Sequence, residues 1–153
     1  MLIEVKVKIT RNIDSKYRKT TETFILDREF FSHAEYCITH LLEADMEVHG
    51  GQIFDFEIQS LKWSNIKEID DQTIDENKPS FIATLKDLFV DDAGNEKQLK
   101  YKVLLWAEDL THANQRAHEL SHQGYDMLVE GIKQVDYKYI SSVEEENESE
   151  ETE

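Results

Sequence analysis

The most specific chemical pattern in this sequence is His118-Glu-Leu-Ser-His122, in which two histidines lie one helical turn apart with a glutamate between them. Zinc proteases use this spacing to bind the metal, and the glutamate takes a proton from the metal-bound water. Here Ala113, Ala117 and Leu120 form the apolar stripe of the same predicted helix, so we expect both histidines to face solvent. A third ligand is also not evident. We therefore consider the match a chance one and predict neither a metal site nor a cofactor, with His118 and His122 as the alternative metal ligands.

A basic segment near the N-terminus indicates a different chemistry. It combines four cations with one aromatic ring and is predicted to be the loop of a hairpin, and its residues are Arg11, Lys16, Tyr17, Arg18 and Lys19. Cations neutralise phosphates, and a tyrosine ring stacks on an unpaired base. We therefore predict that these residues bind nucleic acid. The alternative is a solvated hairpin tip, because surface loops are often charged.

Other residue types capable of catalysis do not form a recognisable set. His33 and His112 occur at the predicted first position of two helices, where a local structural partner is commoner than a bound anion. The sequence lacks a glycine-rich phosphate loop, a Ser-His-Asp arrangement and clustered cysteines, and its single Cys37 is interpreted as a small buried residue. We predict that the protein is not an enzyme.

The elements that would carry these residues occur twice. Residues 26–34 read Leu-Asp-Arg-Glu-Phe-Phe-Ser-His-Ala, and residues 105–113 read Leu-Trp-Ala-Glu-Asp-Leu-Thr-His-Ala. In both segments a strand pattern ends and a helical pattern begins. An internal repeat decides the architecture, so we interpret the chain as a duplication.

In the first half, alternating apolar residues and a helical pattern predict strands at 2–10, 20–26 and 53–63 and a helix that begins near Ser32. Residues 11–19 are the predicted hairpin loop. Ser32 lies three residues before Glu35, which is the spacing of a capping box. The predicted core face of the helix consists of Ala34, Ile38 and Leu41, and the helix ends at Gly50 and Gly51.

The second half has the same order, with predicted strands at 81–90, 98–105 and 127–139 and a turn at 91–96. Thr111 takes the place of Ser32 at the helix start, and Gly124 ends the helix. Ala113, Ala117 and Leu120 correspond to the three core positions of the first helix, so the likeness extends to packing.

The predicted fold is α+β, with two tandem ββαβ repeats related by a pseudo-twofold and one helix on mainly antiparallel sheet in each repeat. One copy leaves an apolar sheet face with a single helix to cover it, whereas two copies can share a core. The predicted boundaries are a first repeat, an acidic linker, a second repeat and a disordered acidic tail, at residues 1–66, 67–80, 81–140 and 141–153.

Charge is distributed unevenly along the chain. The formal net charge is −16, and seven glutamates lie within the last ten residues. This segment contains no large apolar residue after Val143, so burial cannot offset the entropy of ordering it. We predict that the acidic tail competes with nucleic acid for the cationic surface or recruits a protein partner. The sequence does not specify an oligomeric state.

Hydropathy argues against a membrane protein. No apolar run approaches the roughly 18 residues of a membrane helix, and the N-terminus alternates instead of forming a signal peptide. We predict a soluble protein of the cytoplasm, or of the host cytoplasm if it is encoded by a phage.

Three stretches together resemble a family of short proteins of unknown function from Bacteroidetes and their phages and mobile elements. They lie at residues 24–35, 55–69 and 101–113, and the resemblance covers about residues 1–140. The family has no established activity, so no catalytic or binding residue can be transferred from it. The resemblance implies phage or mobile-element biology and a non-catalytic accessory role.

Three functions are compatible with these observations. The first is an accessory role in DNA replication or recombination, through binding of single-stranded nucleic acid or of a replication partner. The second is an acidic inhibitor that mimics DNA or blocks a host defence factor. The third is a structural or assembly protein of a virion.

Overall fold

The computed structural model of this protein describes residues 1–48, 52–122 and 127–141. Within these residues the fold is α+β, with eight strands in two mixed sheets and two helices. The elements in chain order are β1 (Leu2–Ile13), β2 (Lys16–Asp27), α1 (Phe31–Glu47), β3 (Ile53–Trp63), β4 (Ile66–Ile69), β5 (Ser80–Val90), β6 (Glu96–Trp106), α2 (Leu110–Ser121), β7 (Leu128–Val135) and β8 (Tyr137–Ile140).

The chain divides into two compact units, of which only unit 1 is discontinuous in sequence. Among the described residues, unit 1 contains those of Met1–Ser64 and residues 137–141, and unit 2 contains those of Asn65–Asp136. The predicted tail from residue 142 and the predicted helix-ending glycines, Gly50, Gly51 and Gly124, lie outside the described residues.

In unit 1 the strand order is β3-β1-β2-β8, with β1 antiparallel to both neighbours and β8 parallel to β2. Alternate residues of β1 point towards α1, as the sequence period predicts. The core contains four fully buried residues of β1, two residues of β2 and three of α1, namely Ile3, Val5, Val7, Ile9, Phe24, Leu26, Ala34, Ile38 and Leu42.

The β1–β2 hairpin is tighter than the sequence analysis predicts. The predicted loop at 11–19 is wrong, because β1 continues to Ile13, β2 begins at Lys16 and only Asp14 and Ser15 connect them. Their φ values are +51° and +64°, which is the conformation of a type I′ turn and matches the twist of the two strands. The polar composition that indicated a loop instead belongs to exposed strand residues.

In unit 2 the strand order is β4-β6-β5-β7, and the antiparallel β5–β6 hairpin again has a third strand beside its first strand. Its turn contains Gly94 at a φ of +83°, where residues other than glycine are strained. The core between α2 and the sheet includes residues of β5, β6 and α2, among them Phe81, Ala83, Leu105, Ala113 and Ala117.

The two units therefore share one topology, and they also share an irregularity. Strand β1 has a register shift against β3 between Lys6 and Val7, and β5 has one against β7 between Thr84 and Leu85, at the equivalent place. The fourth strand of each sheet is parallel and short, and it comes from the chain that follows the third strand of the other repeat.

This exchange of strands was not predicted. Residues 67–69, which the sequence analysis assigned to the linker, belong to β4, and the single strand predicted at 127–139 is divided at Asp136 into β7 and β8. An alternation over only four residues can arise by chance, so the sequence does not identify either short strand as a separate element.

The N-cap of each helix lies two residues before the predicted one. Phe30 and Asp109 are the N-cap residues, so Ser32 and Thr111 lie inside the first turn and the predicted capping box is wrong. The Asp109 carboxylate accepts a hydrogen bond from the His112 amide at 2.9 Å, whereas Phe30 has no side chain that can do so. His33 and His112 are consequently third, not first, helical residues.

The third buried position of each helix also differs from the predicted one by a single residue. Ala34 and Ile38 are buried as predicted, but the third core residue of α1 is Leu42, while Leu41 is exposed. In α2 the corresponding buried residue is Ser121. A spacing of four and four keeps these side chains on one face as well as a spacing of four and three does.

Neither helix in the described part of the chain is long and apolar enough to cross a membrane.

Candidate nucleic-acid interface

The predicted basic residues lie at the turn end of the β1–β2 hairpin. Four of them, Lys16, Tyr17, Arg18 and Lys19, are exposed residues of β2 immediately after the turn. Because side chains alternate along a strand, Lys16 and Arg18 lie on one face of β2, and Tyr17 and Lys19 lie on the other. A ligand that follows this end of the hairpin therefore meets a cation on both faces.

Arg11 differs from these four residues because its guanidinium is paired with Glu22. The Arg11 Nη2 atom donates to both oxygens of this carboxylate, at 2.9 and 3.1 Å, and its Nε atom donates at 3.3 Å. Lys138 of β8 donates to the same carboxylate. Burial raises the pKa of Glu22, but the hydrogen bonds and charges of Lys138 and Arg11 outweigh burial and hold this pKa below its ordinary value. Glu22 thus stays ionised and neutralises Arg11.

The other three cations of the hairpin end have no counter-charge in the described part of the chain. Among the residues that the structure describes, Lys16, Arg18 and Lys19 form no ion pair. Arg18 lies directly opposite Arg11 in the β1–β2 ladder. Two like charges at such a position repel each other, and Glu22 pairs with Arg11 and Lys138 but not with Arg18. The hairpin end is therefore suited to binding an anion.

An aromatic pair lies beside these cations. The ring of Tyr17 contacts the ring of Phe54 with centroids 4.9 Å apart and an interplanar angle of 56°. Their exposed fractions are 62% and 58%, so most of both rings faces water. Large aromatic side chains exposed together are typical of a surface that binds a partner. The structure thus adds Phe54 to the residues selected from the sequence.

Phe54 reaches this position because of a second irregularity in the β1–β3 ladder. Thr10 pairs with Asp55 and Arg11 pairs with Ile53, so Phe54 is the additional residue of a bulge. The signal in the sequence was the adjacent apolar pair Ile53 and Phe54, which interrupts the alternation. Only the pairing with β1 shows which of the two residues is displaced.

Acidic residues limit the extent of the cationic surface. Asp55 and Glu57 follow Phe54 along β3 and lie opposite Thr10 and Lys8. Carboxylates repel phosphate, so the surface suited to a nucleic acid is confined to the end of the hairpin. We define the hairpin site as Lys16, Tyr17, Arg18, Lys19 and Phe54.

The histidines that suggested zinc do not form a metal centre in the described part of the chain. His118 and His122 are both exposed, so the prediction that they face solvent is confirmed. His118 borders a shallow cavity of about 460 Å³ beside β7. No group of three or more His, Cys, Asp or Glu side chains among the described residues is arranged to hold a metal ion.

The repeated histidines of the two helices have local partners. The Nδ1 atom of His112 lies 2.8 Å from the Asp109 carboxylate, and the ring of His33 meets the edge of Phe30 with centroids 5.3 Å apart. Hydrogen bonds from the backbone amide and then the side chain of His112 hold the pKa of Asp109 below its ordinary value. Both histidines thus contact the N-cap residue of their own helix.

The fold and this surface define an α+β protein with two units of one topology, each with a four-stranded mixed sheet and one helix, and a basic aromatic hairpin on the first unit. Over residues 1–148 the sequence matches the family described as a domain of unknown function, DUF4494, and the chain belongs to that family. No curated protein and no solved structure matches the sequence significantly.

Proposed function

We propose that this protein is a non-enzymatic accessory protein that binds single-stranded nucleic acid through the hairpin site. In this proposal it acts in DNA replication or recombination of a phage or mobile element, in the cytoplasm of the bacterial host. The observation that carries the proposal is the exposed Tyr17–Phe54 pair at a hairpin end with three cations that form no ion pair with any described residue.

The site suits a single strand better than a duplex because its aromatic rings are accessible. An unpaired base can stack on Tyr17 or Phe54, whereas the bases of a duplex are already stacked on each other. Lys19, which shares the face of Tyr17, would contact a phosphate beside such a base, and Lys16 and Arg18 would contact phosphates where the strand passes around the hairpin end to the other face. The short turn at Asp14 and Ser15 keeps these side chains close together.

The net charge of −16 restricts where on the protein a nucleic acid can bind and makes that binding sensitive to salt. A nucleic acid is repelled by most of an acidic protein, so binding through the hairpin site should be local and should weaken as salt screens the attraction. The glutamates after Val143 add seven negative charges. We propose that they compete with the nucleic acid for the cations or attract a basic protein partner.

The direct test is fluorescence anisotropy with a labelled oligothymidine at several salt concentrations. Replacing Lys16, Arg18 and Lys19 together by Gln should weaken binding about tenfold or more and reduce the salt slope by about 2, the value for three phosphate contacts on a single strand. Replacing Tyr17 by Ala should weaken binding about tenfold, because one stacked base is lost.

The matched control places the same change of charge on unit 2. Replacing Lys78, Lys97 and Lys133 by Gln alters the net charge equally and should leave the affinity and the salt slope close to those of the natural protein. Equal loss in both triple variants would show nonspecific attraction. Absence of binding at low salt by a chain that lacks the acidic tail and ends at Ser141 would refute the proposed function.

The role of the acidic tail is tested by measuring the affinity of a truncated chain. A chain that ends at Ser141 lacks the seven glutamates but keeps β8. Its affinity for the oligothymidine should rise severalfold at low salt and approach that of the full chain as salt increases, because screening removes the competition. An unchanged affinity would contradict competition by the tail.

A further inference from the structure

The end of the β5–β6 hairpin extends beyond the strands on either side of it. Strand β7 pairs with β5 only over residues 80–86, and β4 pairs with β6 only from Lys102 onwards. Among the described strands, residues 87–90 and 96–101 therefore have no neighbour except each other, and they form a two-stranded ribbon. Two strands alone are marginally stable in water, so such a ribbon gains stability from a surface that covers it.

One face of this ribbon is apolar and exposed. Phe81 and Ala83 of β5 belong to the core under α2, and side chains alternate along a strand. Leu88 and Val90 consequently lie on the face away from the helix, with exposed fractions of 53% and 64%. Large apolar side chains exposed together are typical of a surface that binds a protein partner.

The tip of the ribbon is acidic. Glu96 lies opposite Val90 in the β5–β6 ladder and shares its face, and Asp92 belongs to the turn that follows β5. Within the described chain neither carboxylate forms an ion pair. Both are exposed, so the ribbon tip is suited to contact with cations.

The lysines of this region leave the acidic tip in place. Lys97 pairs with Asp91 at 3.9 Å, and Lys100 pairs with Glu130 of β7 at 3.0 Å. Lys86 lies on the apolar face at the inner end of the ribbon, on the side remote from the turn. The face therefore presents acids, an apolar pair and a lysine in that order along the ribbon.

We define the ribbon site by the residues of this face and of the turn. They are Lys86, Leu88, Val90, Asp92 and Glu96.

The face of unit 1 that is turned away from α1 presents the complementary order across its strands. Lys19 and Tyr17 belong to β2, and Phe54 and Asp55 belong to β3 on the far side of β1. From β2 to β3 a partner thus meets a cation, the aromatic pair and a carboxylate. Three adjacent strands span about 10 Å, and four residues along the ribbon span about 13 Å, so the two series are of similar length.

We infer that the ribbon site of one chain binds the hairpin site of a second copy of the chain. The ribbon lies across β2, β1 and β3, and its apolar pair packs on the aromatic pair of the hairpin site. The acids of the ribbon tip face the hairpin cations, and Lys86 faces Asp55. Opposite charges and apolar groups are then matched at every step of the contact.

This contact joins two different surfaces, so each bound copy keeps one ribbon site or one hairpin site free. Head-to-tail contacts of this kind produce an open series or a ring, whereas a contact between identical surfaces stops at a dimer. The contact requires no nucleic acid and does not rest on the proposed function. A nucleic acid that occupies the hairpin site would compete with it.

The test is sedimentation velocity of the full chain at physiological salt, without nucleic acid, over a series of protein concentrations. The average sedimentation coefficient should rise with concentration and pass the value of a dimer. A chain that ends at Ser141 should assemble at a severalfold lower concentration, because it lacks seven glutamates that repel the second copy. Monomers at every concentration in both chains, or a plateau at the dimer, would overturn the inference.

Two variants block one surface each. The hairpin variant combines Lys16→Gln, Arg18→Gln and Lys19→Gln, and the ribbon variant combines Leu88→Asp and Val90→Asp. All five side chains are exposed, so both variants should fold. Each variant alone should show a dissociation constant about tenfold higher or more. An equimolar mixture should form dimers that do not grow, because one unaltered ribbon site then meets one unaltered hairpin site.

Matched controls place the same changes elsewhere on the chain. Ile74→Asp with Leu110→Asp is the control for the ribbon variant, and Gln at Lys67, Lys78 and Lys133 is the control for the hairpin variant. Both controls should assemble like the natural protein. Undiminished assembly of either site variant alone, an equimolar mixture that stays monomeric, or equal loss in the controls would each contradict the head-to-tail contact.

Discussion

The buried carboxylate of Asp70 connects several elements of unit 2 by hydrogen bonds. Its side chain is only 4% exposed, and it accepts hydrogen bonds from Arg116 and, at 3.0 Å, from the hydroxyl of Thr73. The Thr73 hydroxyl also accepts from the backbone amide of Trp106 in β6. This chain of contacts joins the segment after β4 to both α2 and the sheet.

The ionisation of Asp70 links this network to pH. Burial raises the pKa of Asp70, but the hydrogen bonds of Arg116 and Thr73 and the charge of Arg116 outweigh burial, so the pKa lies below its ordinary value. A carboxyl whose pKa is lower in the folded state stabilises the fold above its unfolded pKa. That stability is lost as the pH falls through the folded pKa.

We predict that Asp70→Asn lowers the free energy of unfolding at neutral pH by about 3 kcal/mol. The reason is that Arg116 loses its buried carboxylate and keeps an ion pair only with the exposed Glu119. The measurement is urea denaturation followed by circular dichroism, repeated from pH 7 down to about 3, around the ordinary Asp pKa. The natural protein should lose more stability than the variant across this acid range. Asp71→Asn, an exposed neighbour, is the control and should match the natural protein at every pH.

Helix capping differs between two elements that are otherwise equivalent. Both helices begin at the same place in their repeat, but Asp109 caps α2 with its side chain and Phe30 leaves α1 without such a cap. The first turn of α1 also contains no acidic residue. An acid at the N-cap would satisfy a free amide and interact favourably with the helix dipole.

We predict that Phe30→Asp stabilises the protein by about 1 kcal/mol, the typical value of an N-cap. Phe30 is exposed, so its replacement removes little burial beyond its edge contact with His33. Thermal unfolding should show a higher midpoint for this variant, and Asp109→Ala should lower the midpoint. A destabilised Phe30→Asp protein would mean that the contact with His33 contributes more than a cap.

The connectivity of the whole chain follows from the two short parallel strands. Strand β8 completes the sheet of unit 1 although it follows the second repeat, and β4 completes the sheet of unit 2 although it follows the first. Each sheet therefore includes a strand from outside its own repeat, and in unit 1 that strand is distant in sequence. Lys138 adds to this dependence in unit 1 because it pairs with Glu22.

We predict that a chain ending at Asp136 loses stability in unit 1 while unit 2 is retained. Hydrogen exchange should become faster at Thr23–Leu26, the residues that pair with β8, and slow exchange should persist in the β5–β6 hairpin. A chain ending at Ser141 keeps β8 and should exchange like the full protein. Equal protection of Thr23–Leu26 in both truncated chains would contradict this dependence on β8.

Local periodicity of apolar side chains was sufficient to predict most helices and strands of this protein. The alternation of Ile3, Val5 and Val7 predicted β1 and its buried face, because a strand repeats every two residues whatever its partner. The repeat at residues 26–34 and 105–113 predicted two equivalent strand-to-helix corners. The exposure of His118 and His122 followed from the apolar stripe of the same helix.

Which residues form a site depends on contacts between different elements of the chain. Arg11 was selected as a ligand-binding residue, but Glu22 across the hairpin neutralises it, and Phe54 joins Tyr17 only because a bulge displaces it from the ladder. Asp70 and Arg116 are 46 residues apart. The spacing of residues within one element does not predict such an ion pair.

The sequence by itself thus determined the composition of each repeat: two long strands, a helix and a further strand, set by side-chain periodicity that is local to each element. Tertiary structure decided which sheet receives β4 and β8 and which charged residues are neutralised. The physical reason is that hydrogen bonds and ion pairs between elements depend on where the chain brings their partners, and the neighbouring residues do not encode those positions.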